Sequence, residues 1–99
     1  MTINFEKHGT TLTAKPEGRL DSANSPDFEQ RLEPAMDGMT QVIIDLEKVE
    51  YVSSGGLRVL LGAQQEMEDR GGAMKVLNAN EAVMQVFDMA GFFTFLDVE

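Results

Sequence analysis

No cysteine occurs in the 99 residues. The chain therefore has no disulfide framework, no thiol nucleophile and no thiolate metal site. There is one histidine, His8, in a turn near the N-terminus. A single imidazole without thiolates does not make a transition-metal centre. No apolar run approaches the roughly 20 residues that cross a bilayer. The opening Met1-Thr2-Ile3-Asn4-Phe5-Glu6-Lys7 lacks the basic-then-apolar pattern of a secretory signal. These absences together favour the cytoplasm and no membrane insertion. Basic residues are also few, eight against seventeen acidic ones, for a net charge of -9. Such a surface repels phosphate backbones, so nucleic-acid binding is disfavoured. The acids are spread along the whole chain, which makes a solvated surface the default and steering toward a basic partner the sharper reading.

Catalytic machinery is missing too. Ser53 and Ser54 lack a Gly-x-Ser-x-Gly elbow, because Tyr51 and Val52 occupy the upstream side. Neither serine has an evident base, since His8 is the only imidazole. No Gly-x-x-x-x-Gly-Lys loop is present to cradle a nucleotide. Pairs such as Glu66 and Asp69 fall on a predicted exposed helix face, where solvation accounts for them. The expectation is a protein that is not an enzyme, with no cofactor and no metal.

What remains is an ordinary globular composition, 42% apolar and 25% charged, sized for a single domain over 1–99. Ile3, Phe5 and Lys7 alternate with polar residues as in a half-buried strand, and 10–14 pairs back on it through a turn at His8-Gly9. Ser25-Pro26 reads as an N-cap followed by proline at the first helical position. Phe28, Leu32, Ala35, Met36 and Met39 continue with helical spacing, and Pro34 must kink that helix or end it early. Val42-Ile43-Ile44-Asp45-Leu46 is apolar on both faces, which fits a central strand covered on both sides or buried deep in a sheet. A helix over 54–70 stops at Gly71-Gly72, and Met74 to Leu77 is another short strand. Asn80 caps a third helix closed by Gly91, and 93–98 reads as a final strand. Met84 and Met89 fall off the apolar stripe of that helix, and Phe92 and Phe93 pack under it. The order β, β, α, β, α, β, α, β predicts an α/β fold. An N-terminal hairpin leads into a largely parallel, mixed sheet with helices packed on it.

The most informative stretch is Tyr51-Val52-Ser53-Ser54-Gly55-Gly56-Leu57-Arg58. It sets two hydroxyls and two glycines between an apolar run and an amphipathic helix. A serine there caps a helix, and the same place tolerates a phosphate, because unpaired N–H groups and the positive dipole end converge on it. If Ser54 is the cap, Ser54→Ala costs about 1 kcal/mol. Arg58 lies one turn further on, on roughly the same side as Ser54. Asp21 sits in a turn, where aspartate often bonds its own backbone.

Three segments in this order resemble the STAS domain of stand-alone bacterial anti-sigma factor antagonists. They are Gly18-Arg19-Leu20-Asp21, the 42–46 run, and the stretch from Tyr51 to Leu61. The resemblance covers essentially the whole chain. It implies a switch that binds an anti-sigma factor which is also a serine kinase, releasing the sigma factor. The kinase then phosphorylates a serine at the start of the second helix, and a serine phosphatase restores the binding form. Aligning Gly56-Leu57 with the family's Gly-Leu puts the phosphorylated serine at Ser54, with Ser53 as the competing acceptor. It also implies a partner-binding surface of Asp21, Ser53, Ser54, Gly55, Gly56 and Arg58, on a chain that is a monomer when free. The sequence departs from the family pattern in two places. Ser53 replaces an aspartate, and Gly55 stands where serine or alanine is usual. The alternative implied by the same fold is an unphosphorylated docking subunit of a lipid-transport ATPase complex.

Overall fold

The computed structural model describes residues 1–99. Its first half runs β1 (Ile3–His8), β2 (Thr11–Pro16), β3 (Gly18–Leu20), α1 (Ser25–Ala35), β4 (Gln41–Asp45) and β5 (Val49–Val52). The second half continues with α2 (Ser54–Asp69), β6 (Ala73–Leu77), α3 (Glu81–Met89), a 3-10 turn (Phe92–Thr94) and β7 (Asp97–Val98). β1 and β2 form the expected antiparallel hairpin, with Ile3 opposite Pro16 and His8 opposite Thr11. β2, β4, β6 and β7 are then all parallel, in the order β1-β2-β4-β6-β7. The mixed sheet with helices packed on it matches the architecture read from the sequence.

Four features differ from that reading. β4 is the middle strand, but it is covered on one side only. Val42 and Ile44 are fully buried, while Gln41, Ile43 and Asp45 are half-exposed. The strand order explains this. From β2 to β7 the sheet grows in one direction, and right-handed crossovers taken in one direction put every helix on the same face.

β3 and β5 were not legible as strands. They pair in parallel as a separate two-stranded ribbon, with Leu20 opposite Val52. Runs of three and four residues are too short to display a period. The cap of α1 lies one residue earlier than expected. Asn24 occupies it, so Ser25 is inside the helix and buried. Pro34 ends this helix instead of kinking it, and α1 stops one residue later. Finally, the strand expected over 93–98 shrinks to Asp97–Val98. Phe92 folds back to stack on Phe87, with ring centroids 6.0 Å apart, and the 3-10 turn follows from that packing. Phe93 meets Phe87 edge-on at 6.4 Å.

The other helix ends behave as their residues dictate. α2 closes with Gly72 N–H on Met67 O and Gly71 N–H on Glu68 O, and Gly71 adopts φ +76°. That double closure is a Schellman motif, which needs a left-handed residue where glycine is cheapest. Asn80 Oδ1 accepts from Val83 N–H at 2.8 Å, while its Nδ2 donates to Val49 O and Glu50 O at 3.2 and 3.1 Å. One side chain thus caps α3 and fastens it to β5. Asn80→Ala removes both, so its cost lies at the upper end of the usual capping range, about 2 kcal/mol. The check is a urea melt with an unchanged m-value.

Candidate functional site

β3 and β5 deliver two loops to one place. After Leu20 the chain turns through Asp21 into α1, and after Val52 it turns through Ser53 into α2. Ser53 N–H donates to Leu20 O at 2.8 Å and pins the two turns together. Gly56 makes the contact possible. A Cβ there would lie 2.8 Å from Leu20 O and 2.9 Å from both Leu20 Cβ and Val52 Cγ1. Gly55 faces the other loop, where a Cβ would meet Ser22 Cα and Ser25 Oγ at 3.0 Å. The two glycines are therefore spacers that let the first turn of α2 touch the β3–α1 loop.

Asp21 builds that loop. Its Oδ1 accepts from Ala23 N–H at 3.0 Å and Asn24 N–H at 3.1 Å. Asn24 returns the arrangement, accepting from Asp21 N–H at 2.9 Å and donating to Arg19 O. Asn24 was not singled out in the sequence, although an Asp-x-x-Asn spacing ahead of a helix is a readable turn signal.

The two serines have opposite environments. Ser53 takes the N-cap position of α2, with φ -90° and ψ 179°, but its side chain caps nothing. Its Oγ is shut off from solvent and has no hydrogen-bond partner. Ser54 is the first residue of the helix and is exposed. The expectation that Ser54 is a cap is therefore corrected: Ser53, pinned to Leu20, takes the cap position, and the helix starts at Ser54, one residue earlier than a Ser54 cap would give. Ser54→Ala should leave stability within about 0.5 kcal/mol, as at other surface sites, which thermal unfolding by circular dichroism checks.

With no cap bond, the N–H groups of Ser54, Gly55 and Gly56 have no acceptor. Arg58 is exposed and lines a depression of about 260 Å³ with Ser22, Ser25, Glu29, Ser54 and Gly55. Ser22, Ser25 and Glu29 were not anticipated, because they come from α1 and its loop, some 30 residues away in the chain. The site thus joins a free hydroxyl, three unpaired amides and a guanidinium. Those are donors, and the Glu29 carboxylate stands among them in the same depression. It holds no imidazole, because His8 lies at the end of β1. A larger depression of about 450 Å³ lies elsewhere, among Asn4, Glu6, Lys15, Glu17, Asp45 and Lys48. Lys15 there is paired with Glu6 at 3.2 Å, and no reactive group converges on it. No helix is long and apolar enough to cross a membrane.

A family model described as the STAS domain matches residues 2–99. The chain belongs to the STAS domain family. Among relatives of this domain, BtrV of Bordetella bronchiseptica is 30% identical over 99 residues, covering 99% of this chain and 85% of that protein. The anti-sigma-B factor antagonist of Bacillus subtilis is 24% identical over 98 residues, covering 99% of this chain and 90% of that protein. The fold is also that of SpoIIAA, an anti-sigma factor antagonist solved in its unphosphorylated form. The TM-score is 0.85 at 22% identity, over 99% of this chain and 88% of that one. A structure of Bacillus SpoIIAA in its phosphorylated form superimposes with a TM-score of 0.77 at 21% identity, over 99% and 91% of the two chains. The relatives are thus named as antagonists, that is, as binding proteins and not as enzymes.

Proposed function

We propose that this STAS domain is an anti-sigma factor antagonist acting in the cytoplasm and switched off by phosphorylation of Ser54. Its partner is an anti-sigma factor with serine kinase activity, which it binds as an unphosphorylated monomer. A serine phosphatase resets it. The contrast between the two serines carries the reading. Ser54 offers an exposed hydroxyl on a helix start with unpaired amides, whereas the Ser53 hydroxyl is buried. That contrast supports Ser54 over Ser53 as the acceptor. Names of relatives such as the anti-sigma F factor antagonist of Paenibacillus polymyxa, 26% identical over 100 residues, support the choice of partner.

Physical chemistry gives the switch its sign. A phosphate adds about -1.5 to -2 charges. A helix start accepts such an anion, typically by 0.3–1 kcal/mol, so the domain need not refold. The cost falls on the interface, where a surface fitted to a neutral hydroxyl must bury an unpaired charge at several kcal/mol. Asp21, Gly55 and Arg58 flank Ser54 on the contact surface. Gly56 and the Ser53 hydroxyl, expected there too, are buried beneath it and set the start of α2. The Asp21 turn keeps the neighbouring loop in one shape.

The test is phosphopeptide mapping of the protein from its own cells, resting and stressed, together with identification of what co-purifies with it. A single phosphate on Ser54 whose occupancy varies, plus capture of an anti-sigma factor by the unmodified form only, is the expected result. Absence of phosphate under every condition, with capture of a transport ATPase, would replace the switch with the docking-subunit reading.

A further inference from the structure

We infer that the exposed corner after α3 is a second docking surface, whose occupant is a basic, amphipathic segment of another protein. Met89, Phe93 and Phe95 supply its apolar contacts, and Asp88 and Asp97 supply its charge.

Four of the six phenylalanines fall between residues 87 and 95. Two of them do the packing, since Phe87 and Phe92 are buried and stacked. The other two are left outside. Phe93 meets Phe87 only edge-on and stays 44% exposed, and Phe95 is 58% exposed. Met89, the last residue of α3, is 88% exposed. Single exposed apolar side chains are ordinary on a protein surface. Here three large ones come from seven consecutive residues, drawn together by the left-handed turn at Gly91 and the 3-10 turn after it. Such clustering marks a contact surface. Methionine and phenylalanine are also the side chains that interfaces favour, one for its adaptability and the other for its area.

Charge selects the occupant. Beyond Lys75 the chain has no basic residue, against Glu81, Asp88, Asp97 and Glu99. Lys75 itself lies 4.0 Å from Glu99. Asp88 and Asp97 are exposed and belong to no ion pair. They flank the apolar cluster in the chain, so the corner is apolar and carries negative charge that nothing neutralises. A second copy would bring the same carboxylates, and a net charge of -9, against them. An anionic lipid surface is repelled likewise. A segment with apolar residues on one side and lysines or arginines on the other matches both features.

The corner is also separate from the Ser54 site. α2 ends where β6 begins, so Ser54 lies a 16-residue helix away from that end of the sheet, about 24 Å. α3 starts beyond the far end of β6 and runs back, and Phe95 leads into β7 beside the first half of β6. The two surfaces therefore occupy opposite ends of the fold. A partner held at the corner stays held whatever the state of Ser54.

The test uses the full chain with its methionine methyl groups labelled for NMR. The probe is a synthetic leucine–lysine amphipathic peptide, and a leucine–glutamate peptide is its acidic counterpart. The Met89 methyl should shift saturably with the lysine peptide, while Met36 and Met67, both fully buried, should not. Added salt should weaken the binding. The double substitution Met89→Ser, Phe95→Ser should weaken it at least about tenfold. Both side chains are exposed, so the variant should keep the parent's circular-dichroism spectrum. Leu61→Ala, which trims an exposed apolar side chain on α2, should leave the affinity unchanged. Equal affinity of the parent and the double variant would overturn the inference, and so would equal binding of the acidic peptide. A sedimenting dimer that the double variant loses would give the surface to a second copy instead. Met89 shifts with phosphatidylcholine vesicles and not with the peptide would give it to lipid, and either result overturns the proposal. The Met89 signal needs no variant, so the comparison of the two peptides decides the matter even if the double variant fails to fold.

Discussion

Replacing Gly56 with alanine should lower the melting temperature by about 5–20 °C, although alanine is the better helix former by nearly 1 kcal/mol. The reason is the backbone oxygen of Leu20, 2.8 Å from the new Cβ, with Val52 Cγ1 and Leu20 Cβ at 2.9 Å. A carbonyl held by Ser53 N–H cannot swing aside as a flexible side chain would. Overpacking a tight contact costs about 1–3 kcal/mol, and 1 kcal/mol moves the midpoint of a domain this size by about 4–8 °C. Gly62 supplies the control. It lies in the exposed part of the same helix with nothing within 4 Å of its would-be Cβ. Gly62→Ala should therefore stabilise by about 0.4–1 kcal/mol. Opposite signs from one substitution in one helix would identify the close approach of α2 to β3 as the cause. Equal effects would mean that the first turn of α2 has slack.

The second large effect is on binding. Ser54→Asp should weaken the complex with the anti-sigma factor at least about 100-fold, because each 1.4 kcal/mol is a factor of ten and an unpaired interfacial charge costs several. The melting temperature should stay within about 3 °C of the parent, since a carboxylate at a helix start is mildly favourable. Calorimetric titration and a thermal melt separate the two quantities. A Ser54→Asp protein that binds well, or one that has lost its fold, contradicts a switch made of local charge.

Much of this could be read before the structure, for definable reasons. The hairpin, β4, α2, β6 and α3 announce themselves through alternation, helical spacing and terminal signals such as Gly71-Gly72, Asn80 and Gly91. β3 and β5 do not, because three or four residues carry no period and their pairing is with each other, some 30 residues apart. That pairing displaces the start of α2. Local propensity cannot tell a cap from the first helical residue, and the bond from Ser53 to Leu20 decides it. Asn24 likewise outcompetes Ser25 at the start of α1, through its bonds with Asp21 and Arg19. The site was legible as far as it lies in one segment. Ser54, Gly55 and Arg58 line one depression, whereas Asp21 bonds only within its own turn. Ser22 and Ser25 join the depression only through the contact of α1 with α2. Such a contact leaves no mark on either segment alone. The bare face of the sheet was missed for a related reason, since Val42 to Leu46 is equally apolar whether helices fall on one side or on both.

The most direct test of the switch is a calorimetric titration of the co-purifying anti-sigma factor with the unmodified protein and with the same protein phosphorylated at Ser54. Saturable binding of the first and a loss of at least about 100-fold in the second, equivalent to about 2.7 kcal/mol, is the expected result. Equal affinities of the two forms would contradict it, and Ser54 would then be an ordinary exposed residue on a helix start.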